Sequence, residues 1–343
     1  MAEHPLRVLV TGAELVSTAV DKLSAVGATL TMMSGKVTEQ RLIEELAKQP
    51  TQAILMRGNP PVSQAVLNAA PELRVIAKHG AGVDSVDLAT ATAHGVLVMV
   101  AGDANAPAVA ELTVGCILAL GRELDSLSAR VRSGQWDRGS YHGRELRGRT
   151  LGLVGFGRIG QRVAALAQCF GMRVVMLTST PLRETAERVG NLGRSPDSIT
   201  PALAERVDSL EALLASSDIV SLHCPLTAET RGMMNRWAFA TMKPGALFIN
   251  TARGALVDEV ALAEALSSGR LAGAALDTLT EEPPMPGNPL LSAPNLILTP
   301  HIAGQTSAAV ERMGIAAAEN IVAVLTGGTV DPANVVNQSL LSR

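Results

Sequence analysis

The chain has 343 residues, with 29 basic and 32 acidic side chains and a formal net charge of −3. This length suffices for two domains with separate cores, and the near balance of charge excludes the strongly basic surface that nucleic-acid binding requires. Since no apolar run approaches the roughly 20 residues of a membrane-spanning helix, we expect a soluble cytoplasmic protein that contacts neither nucleic acid nor a membrane.

The first hundred residues alternate short apolar runs with helical patterns. The apolar runs predict β-strands at residues 6–10, 29–33, 53–56, 73–77 and 96–100. Strands that alternate with helices are typical of an α/β domain built on a parallel sheet. The sequence therefore predicts a first, doubly wound α/β domain.

A long apolar-periodic segment follows the first domain. It runs from residue 105 to about residue 132 and predicts one helix that joins two domains. A polar stretch rich in Gly and Arg comes next, at residues 133–149. The sequence assigns no role to this stretch beyond leading into the second domain.

A buried-strand pattern that runs into a glycine-rich turn marks the start of the second sheet. Residues 150–160 read T-L-G-L-V-G-F-G-R-I-G, with the spacing G-x-G-x-x-G at Gly155, Gly157 and Gly160. These glycines permit a sharp turn, close approach of backbone to a pyrophosphate, and tight packing of the next helix. That helix is predicted over residues 158–170, so its first residues, Arg158 and Ile159, would aim free N–H groups at phosphate. The sequence predicts a dinucleotide-binding Rossmann unit.

The rest of the chain continues the alternation of strands and helices, including a helix at residues 257–267. A last helix at residues 306–325 has no strand of its own to accompany, and we expect it to return to the first domain. The active site is then expected in the cleft between the domains, with hinges near residues 102–105 and 303–306. The other predicted strands lie at residues 172–177, 219–223, 246–250, 273–277 and 296–298.

This organisation predicts two doubly wound parallel-sheet domains, the second inserted in the first. The substrate-binding domain is predicted over residues 1–104 plus 305–343, and the Rossmann domain over residues 105–304. The cysteines, Cys116, Cys169 and Cys224, have no metal-ligand spacing, so no metal is expected. Cys116 and Cys169 are interpreted as small buried apolar residues.

Three side chains near strand ends suit the reduction of a carbonyl group. Arg253 follows a predicted strand, and its planar guanidinium can bind a carboxylate through two parallel hydrogen bonds. His301 is the candidate proton donor, because imidazole titrates near neutrality. Glu282 is the candidate carboxylate partner of that imidazole. Each residue taken alone is equally compatible with an ordinary solvated loop.

Four ordered motifs together resemble the D-isomer-specific 2-hydroxyacid dehydrogenase family. They are the glycine turn, N-T-A-R-G at 250–254, A-A-L-D at 274–277 with Glu282-Pro283, and L-T-P-H-I-A-G at 298–304. K-H-G-A-G-V-D at 78–84 resembles the substrate loop of this family. The resemblance implies a flavodoxin-like first domain, Arg253 as substrate clamp, His301 as acid/base and Glu282 as its partner.

The resemblance also implies further contacts to substrate and cofactor. Backbone N–H groups of Gly80, Ala81 and Gly82 would bind the substrate carboxylate, and Arg57 resembles the arginine that phosphoglycerate-type members use for the far end of the substrate. The additional cofactor residues that it implies are Thr113, Cys224, Pro225, Thr227, Ala252, Asp277 and Gly304. Of these, Asp277 would accept a hydrogen bond from the nicotinamide carboxamide.

One departure from the family concerns the adenosine ribose. NAD-preferring members place an acidic residue after the second strand of the unit, whereas this chain has Thr178, Ser179, Thr180 and, further on, Arg183. Hydroxyls and an arginine would accept a 2′-phosphate, although the hydroxyls would equally bind a ribose. The cofactor is therefore predicted to be NADP or NAD, with a slight preference for NADP.

The expected function is reversible hydride transfer between NAD(P) and a small D-2-hydroxy acid or 2-oxo acid. A chain that ends at Arg343 leaves no room for the regulatory domain of many phosphoglycerate members, which favours hydroxypyruvate or glyoxylate as substrate, with a short 3-phosphoglycerate dehydrogenase as the alternative. A rival of another class is a cofactor-sensing protein that resembles corepressors of this fold. A homodimer that pairs through the cofactor domain is expected.

Overall fold

The computed structural model describes residues 6–136, 138–179 and 204–341. The chain divides into two compact units: Met1–Asn105 with Gly304–Arg343, and Ala106–Ala303. The second unit is thus continuous in sequence, whereas the first is built from two separated segments.

The first unit is a five-stranded parallel sheet with the strand order β2-β1-β3-β4-β5. The order reverses at β1, which pairs with β2 on one side and with β3 on the other. Its strands are β1 Arg7–Val10, β2 Thr29–Met32, β3 Ala53–Met56, β4 Val75–Lys78 and β5 Leu97–Met99, and its helices are α1 Ser17–Ala25, α2 Glu39–Leu46, α3 Gln64–Asn68, α4 Leu88–Ala93 and α11 Ser307–Thr326.

Both faces of this sheet are buried, as the continuous apolar runs predict. Alternate residues of β1 point to opposite faces: Val8 and Val10 pack in a cluster with Ile321 of α11, and Leu9 packs in a second cluster with Leu42 of α2. Helix α11, from the last part of the chain, supplies part of this core.

The second unit is a seven-stranded parallel sheet with the strand order β12-β11-β10-β9-β6-β7-β8. The predicted pair of doubly wound parallel sheets is confirmed. Its strands are β6 Thr150–Val154, β7 Arg173–Leu177, β8 Glu205–Arg206, β9 Ile219–Leu222, β10 Ala246–Asn250, β11 Leu271–Leu276 and β12 Leu296–Leu298, and its helices are α5 Ala106–Gly121, α6 Leu124–Arg132, α7 Arg158–Cys169, α8 Leu210–Ser216, α9 Arg236–Thr241 and α10 Glu259–Ser267.

Helices cover both faces of the second sheet. Side chains of α5 and α7, such as Ile117 and Val163, pack with alternate strand residues on one face. Side chains of α8, α9 and α10 pack on the other face, where the rings of Phe239 and Phe248 meet edge to face with their centroids 5.3 Å apart. Burial on both faces fixes the strand register, and with it the loops at the carboxyl ends of the strands.

The single helix predicted over residues 105–132 is wrong, because the structure divides it into α5 and α6. Glu123, between them, has a φ of 52°, which leaves the right-handed helical region. The carbonyl of Gly121 accepts the Arg144 N–H at 2.9 Å, and the carbonyl of Arg122 accepts the Tyr141 hydroxyl at 2.7 Å. The polar stretch at residues 133–149 thus bonds the carbonyls that end α5, a long-range effect invisible in apolar periodicity.

The cysteines also differ partly from expectation. Cys116 is buried on α5, as predicted, but Cys169 is exposed in the last turn of α7. Within the described ranges, no helix combines the length and apolar character needed to cross a membrane. In that same part of the chain, no three His, Cys, Asp or Glu side chains are grouped to hold a metal ion.

Candidate active site

The glycine turn lies where the strand order of the second sheet reverses, at the carboxyl ends of β6 and β9. Gly155 has a φ of 97°, and a Cβ atom there would lie 2.6 Å from backbone atoms of His223 and Cys224. The first glycine is therefore required both by its backbone conformation and by the close approach of the β9 end. Ligands of open α/β sheets bind at such a reversal point.

The second and third glycines differ in their surroundings. Apart from its chain neighbours, no atom of the described residues lies within 4 Å of a Cβ built at Gly157, whereas a Cβ at Gly160 would lie 2.5 Å from the Gly155 carbonyl oxygen. Gly160 thus permits the close contact of α7 with the turn, and Gly157, the N-cap of α7, leaves open space there and provides no side-chain cap. This open cradle fits the pyrophosphate of a dinucleotide, with Arg158 and Ile159 in the first turn.

The segment after β9 forms the other wall of the turn. Cys224 contributes its backbone N beside Gly155, and burial raises the pKa of its thiol to about 11. Thr227 forms a compact turn, in which its N–H donates to the Thr230 hydroxyl at 2.7 Å and that hydroxyl donates to the Pro225 carbonyl at 2.8 Å. The structure thus places the backbone of Cys224, with its half-buried thiol, beside the first glycine of the turn.

His223 is a residue that sequence reasoning missed. It follows β9, and its Nε2 lies 2.9 Å from the Ser221 hydroxyl. Burial lowers the pKa of His223 to about 3, so the ring is neutral at physiological pH. The close approach of the His223 backbone to Gly155 marks this residue as part of the turn, but that contact is visible only in the folded structure.

The ribose end of the turn is described only in part. Thr178 and Ser179 directly follow β7, while Thr180 and Arg183 lie outside the described residues. Arg206 of β8, which the sequence did not single out, donates from Nη2 to the Thr178 carbonyl at 3.4 Å. A two-residue strand carries too little periodicity to be predicted from sequence. The position of the Arg206 guanidinium beside Thr178 is therefore known only from the structure.

Arg253 sits in a loop held by the buried end of β10. The Asn250 Nδ2 donates to the Arg253 carbonyl at 2.8 Å, and its Oδ1 accepts the Ala252 N–H at 3.0 Å. The Arg253 Nη1 in turn donates to the Ala252 carbonyl at 2.7 Å. This bonding fixes the backbone of Ala252 and Arg253 just beyond the strand.

Thr113 is predicted to contact the cofactor, but the structure places it behind the site. Thr113 is fully buried on α5, and its hydroxyl donates to the Val109 carbonyl at 2.8 Å. It also shares a hydrogen bond of 3.1 Å with the Thr251 hydroxyl. Thr113 thus supports Thr251 from the interior, and its contact with the cofactor stays a prediction.

His301 and Glu282 form a hydrogen-bonded pair. The His301 Nδ1 lies 2.8 Å from the Glu282 Oε2, and the two side chains are 41% and 39% exposed. This hydrogen bond and the charge of Glu282 raise the pKa of His301 above its usual 6.5, against the effect of burial. Burial raises the pKa of Glu282, but the hydrogen bond and charge of His301, the Leu279 N–H and the charge of Arg253 together lower it. The pair is poised to hold a proton on imidazole.

Arg253 lies close enough to act on both members of this pair. Its charge lowers the pKa of Glu282 and opposes the rise in the pKa of His301. The three side chains come from loops after β10, β11 and β12, and parallel strands bring their carboxyl ends to one edge of the sheet. The structure therefore brings together the three residues that the motifs singled out.

Asp277 is buried at the end of β11, with 2% of its surface exposed. Its carboxylate accepts the Thr299 hydroxyl at 2.6 Å and the N–H groups of Ile302 and Ala303, each at 2.8 Å. The sequence analysis expected this carboxylate to face the nicotinamide. In the structure its described partners are in the loop that carries His301.

The remaining predicted residues belong to the first unit. Arg57 follows β3, and its Nη1 donates to the Glu14 carbonyl. Gly80, Ala81 and Gly82 follow β4, with Gly80 at a φ of 144°. Gly304 begins the returning segment of this unit, where a Cβ would lie 3.2 Å from the Asn105 side chain.

Two basic side chains next to this loop were not predicted. Lys78 is buried, and its Nζ donates to the Gly58 carbonyl and, at 2.8 Å, to the Asn59 Oδ1. Burial, together with the charge of Arg57, lowers the pKa of His79 to about 4. The carboxyl edge of the first sheet thus gathers cationic and hydrogen-bonding groups around the Gly80–Gly82 loop.

Comparison with known proteins agrees with this arrangement. Residues 114–303 match the family described as D-isomer specific 2-hydroxyacid dehydrogenase, NAD binding domain. A D-3-phosphoglycerate dehydrogenase of Methanocaldococcus jannaschii is 39% identical over 301 residues, which are 88% of this chain and 54% of that protein. The chain therefore spans about half the length of the curated relatives it matches.

Solved structures match this chain over nearly the full length of both proteins. The TT0316 protein from Thermus thermophilus is 39% identical with a TM-score of 0.81, covering 96% of this chain and 100% of that one. A glyoxylate reductase from Paecilomyes thermophila is 27% identical with a TM-score of 0.82, covering 98% and 99%. The matched family, the two parallel sheets and the Arg253, Glu282 and His301 cluster agree, and the chain belongs to the D-isomer-specific 2-hydroxyacid dehydrogenase family, with an NAD(P)-binding second unit.

Proposed function

We propose that the protein is an NAD(P)-dependent dehydrogenase of small D-2-hydroxy acids and of the corresponding 2-oxo acids. The observation that carries this proposal is the 2.8 Å pair of His301 and Glu282 with Arg253 beside it. A proton donor and a guanidinium at one edge of the cofactor-binding sheet are the groups that carbonyl reduction next to a carboxylate needs.

In the reducing direction, His301 donates its proton to the carbonyl oxygen of the 2-oxo acid. Glu282 keeps the imidazole protonated and oriented until that transfer. Arg253 binds the carboxylate and stabilises the negative charge that develops on the oxygen. A nicotinamide, when bound, supplies the hydride. In the oxidising direction, neutral His301 accepts the hydroxyl proton.

The substrate is proposed to be bound by the carboxyl-edge loops of the first unit. Backbone N–H groups of Gly80, Ala81 and Gly82 suit the carboxylate. The Arg57 guanidinium uses one N–H on Glu14 and carries four more donors for an anionic group at the other end of the substrate.

Two substrate classes follow from this placement. The basic side chains Arg57 and Lys78, together with relatives named D-3-phosphoglycerate dehydrogenase, favour 3-phosphoglycerate as the first substrate to test. Hydroxypyruvate and glyoxylate, which the sequence analysis favoured, are the second class, and a structural neighbour is a glyoxylate reductase. Arg57→Ala separates them, because only the phosphorylated substrate loses a charged partner.

The test is an absorbance assay at the reduced-nicotinamide band. The full chain is incubated with each cofactor and with glyoxylate, hydroxypyruvate or 3-phosphoglycerate. Steady turnover that disappears in His301→Gln supports the proposal. Saturable cofactor binding without turnover on any acid contradicts it, and supports the rival function of a cofactor-sensing protein.

NADP is proposed as the preferred cofactor. No carboxylate occurs at Thr178 or Ser179, and the Arg206 guanidinium lies beside the Thr178 carbonyl. An arginine at this end of the turn favours a 2′-phosphate through charge-assisted hydrogen bonds.

A homodimer is also proposed, formed through α6 and the segment after it. Leu124, Val131 and Trp136 are 55%, 50% and 78% exposed, and large exposed apolar side chains of this kind mark association surfaces. Light scattering at micromolar concentration tests this, since a monomer contradicts it. Trp136→Ser is expected to raise the dimer dissociation constant, whereas Trp237→Ser, at the 52% exposed Trp237 on α9, is the control.

A further inference from the structure

The loop that carries His301 has an unfavourable backbone conformation at that residue. His301 has a φ of 55°, in the left-handed region that is unfavourable for a non-glycine residue. Such a residue keeps this conformation only where the surrounding structure fixes it. Something must therefore hold the loop from Thr299 to Ala303.

Asp277 supplies that restraint from the neighbouring strand. Its Oδ1 accepts the Thr299 hydroxyl at 2.6 Å and the Ile302 N–H at 2.8 Å, and its Oδ2 accepts the Ala303 N–H at 2.8 Å. These partners lie on both sides of His301 in sequence. A buried carboxylate that bonds the chain before and after one residue fixes the backbone angles of that residue.

These bonds also occupy most of the capacity of the carboxylate. A carboxylate has about four acceptor positions, and three of them are taken within the loop. The side chain is 2% exposed. At most one position then faces a ligand, so holding the loop is the larger part of what Asp277 does.

We propose that Asp277 is a positioning residue that acts on the reaction through His301. It locks the 299–303 loop so that the imidazole is held toward Glu282 and the carbonyl of the substrate. Its negative charge, with that of Glu282, also favours the protonated imidazole, while Arg253 opposes it. This role rests on the proposed dehydrogenase function and does not depend on a contact between Asp277 and the nicotinamide.

The test uses two substitutions at opposite ends of one hydrogen bond. Asp277→Asn keeps the shape of the side chain but turns an NH2 group toward at least one N–H or O–H donor, and we expect kcat to fall about 100-fold. Thr299→Val removes only the hydroxyl, and we expect a fall of about tenfold. Thr299→Ser keeps the hydroxyl and is the matched control, with kcat close to that of the wild type.

Three further measurements separate positioning from other roles. The dissociation constant of the cofactor, from fluorescence titration, should change less than about threefold in Asp277→Asn and Thr299→Val, because the glycine turn is untouched. The pH at which reduction declines should move down in Asp277→Asn but not in Thr299→Val, because only the first removes a charge near His301. Hydrogen exchange at the Ile302 and Ala303 amides should be faster in Asp277→Asn.

Specific results would overturn the proposal. If Asp277→Asn weakens cofactor binding in proportion to its loss of turnover, Asp277 is a cofactor contact. If both substitutions leave kcat and exchange at Ile302 and Ala303 unchanged, the loop does not depend on this carboxylate. Exchange is read in the folded protein without substrate, so it tests the restraint even if the wild type turns over none of the acids.

Discussion

Replacement of Glu282 by Gln should move the pH profiles of both reduction and oxidation to lower pH. The same change should slow reduction and speed up oxidation. Gln keeps the shape of the side chain and an oxygen that can accept the Leu279 N–H, which Glu282 Oε1 now accepts at 3.1 Å. It removes the charge that raises the pKa of His301. The variant imidazole therefore loses its proton at lower pH than the wild type.

The size of the effect follows from the geometry of the pair. The Nδ1 to Oε2 distance is 2.8 Å, which suits a charge-assisted hydrogen bond of about 1.5–3 kcal/mol. The side chains are 41% and 39% exposed, and exposed ion pairs contribute only about 0.2–1 kcal/mol because water screens them. We take about 1 kcal/mol, which changes the ratio of protonated to neutral imidazole about fivefold.

Reduction needs protonated His301, and oxidation needs the neutral form. At pH above the His301 titration, the variant should reduce the 2-oxo acid about fivefold more slowly than the wild type. At pH below it, the variant should oxidise the hydroxy acid about fivefold faster. Both rates are measured from pH 5 to 10 by nicotinamide absorbance at saturating cofactor.

A neighbouring residue provides the matched control. Glu281 is also exposed and precedes Glu282 in the same loop, so Glu281→Gln removes one charge without touching His301. Its two profiles should coincide with those of the wild type. Equal losses in both directions in Glu282→Gln, with unmoved profiles, would refute the assignment of Glu282 as the group that controls protonation.

Four other predictions concern single residues of the second unit. His301→Gln should lower kcat in both directions by about 100-fold or more, with the cofactor dissociation constant, from fluorescence titration, within twofold of the wild type. Gly157→Ala should weaken cofactor binding about tenfold, equivalent to about 1.4 kcal/mol, with an unchanged melting temperature, because its Cβ enters open space. Gly155→Ala should instead destabilise the fold by about 2–4 kcal/mol in chemical denaturation, because its Cβ meets backbone at 2.6 Å and its φ is 97°. Arg206→Ala should lower kcat/KM for NADPH while leaving that for NADH unchanged, and an equal effect on both would contradict its proposed contact with the 2′-phosphate.

Much of the second unit was predictable from local sequence. The glycine turn and the strands at β6, β7 and β10 combine continuous apolar runs with turn residues at fixed spacing, so pattern and fold agree. The positions of Arg253, Glu282 and His301 followed from ordered motifs. That Glu282 bonds His301 across 19 residues of chain needed the family resemblance as well as the residues themselves.

The features that sequence reasoning missed depend on contacts between distant segments. The break between α5 and α6 is made by bonds from Arg144 and Tyr141, which apolar periodicity cannot register. Burial of Thr113 behind Thr251 depends on how α5 packs against β10 and its end. The bonds of Asp277 to the loop that carries His301 were missed, because the spacing of a motif says nothing about which loop a buried carboxylate bonds.

The interrupted construction of the first unit has a consequence for its biosynthesis. Helix α11 contributes Ala317, Ala318 and Ile321 to the same cluster as Val8 and Val10, yet the 198 residues of the second unit are made in between, from Ala106 to Ala303. At about 5–20 residues per second, a ribosome needs roughly 10–40 s to add them. During that interval one face of the first sheet has α1 but not α11 packed on it, whereas the second unit receives all of its strands in one continuous stretch. The nascent first unit is therefore the part of this protein that most needs protection by chaperones until translation has delivered α11.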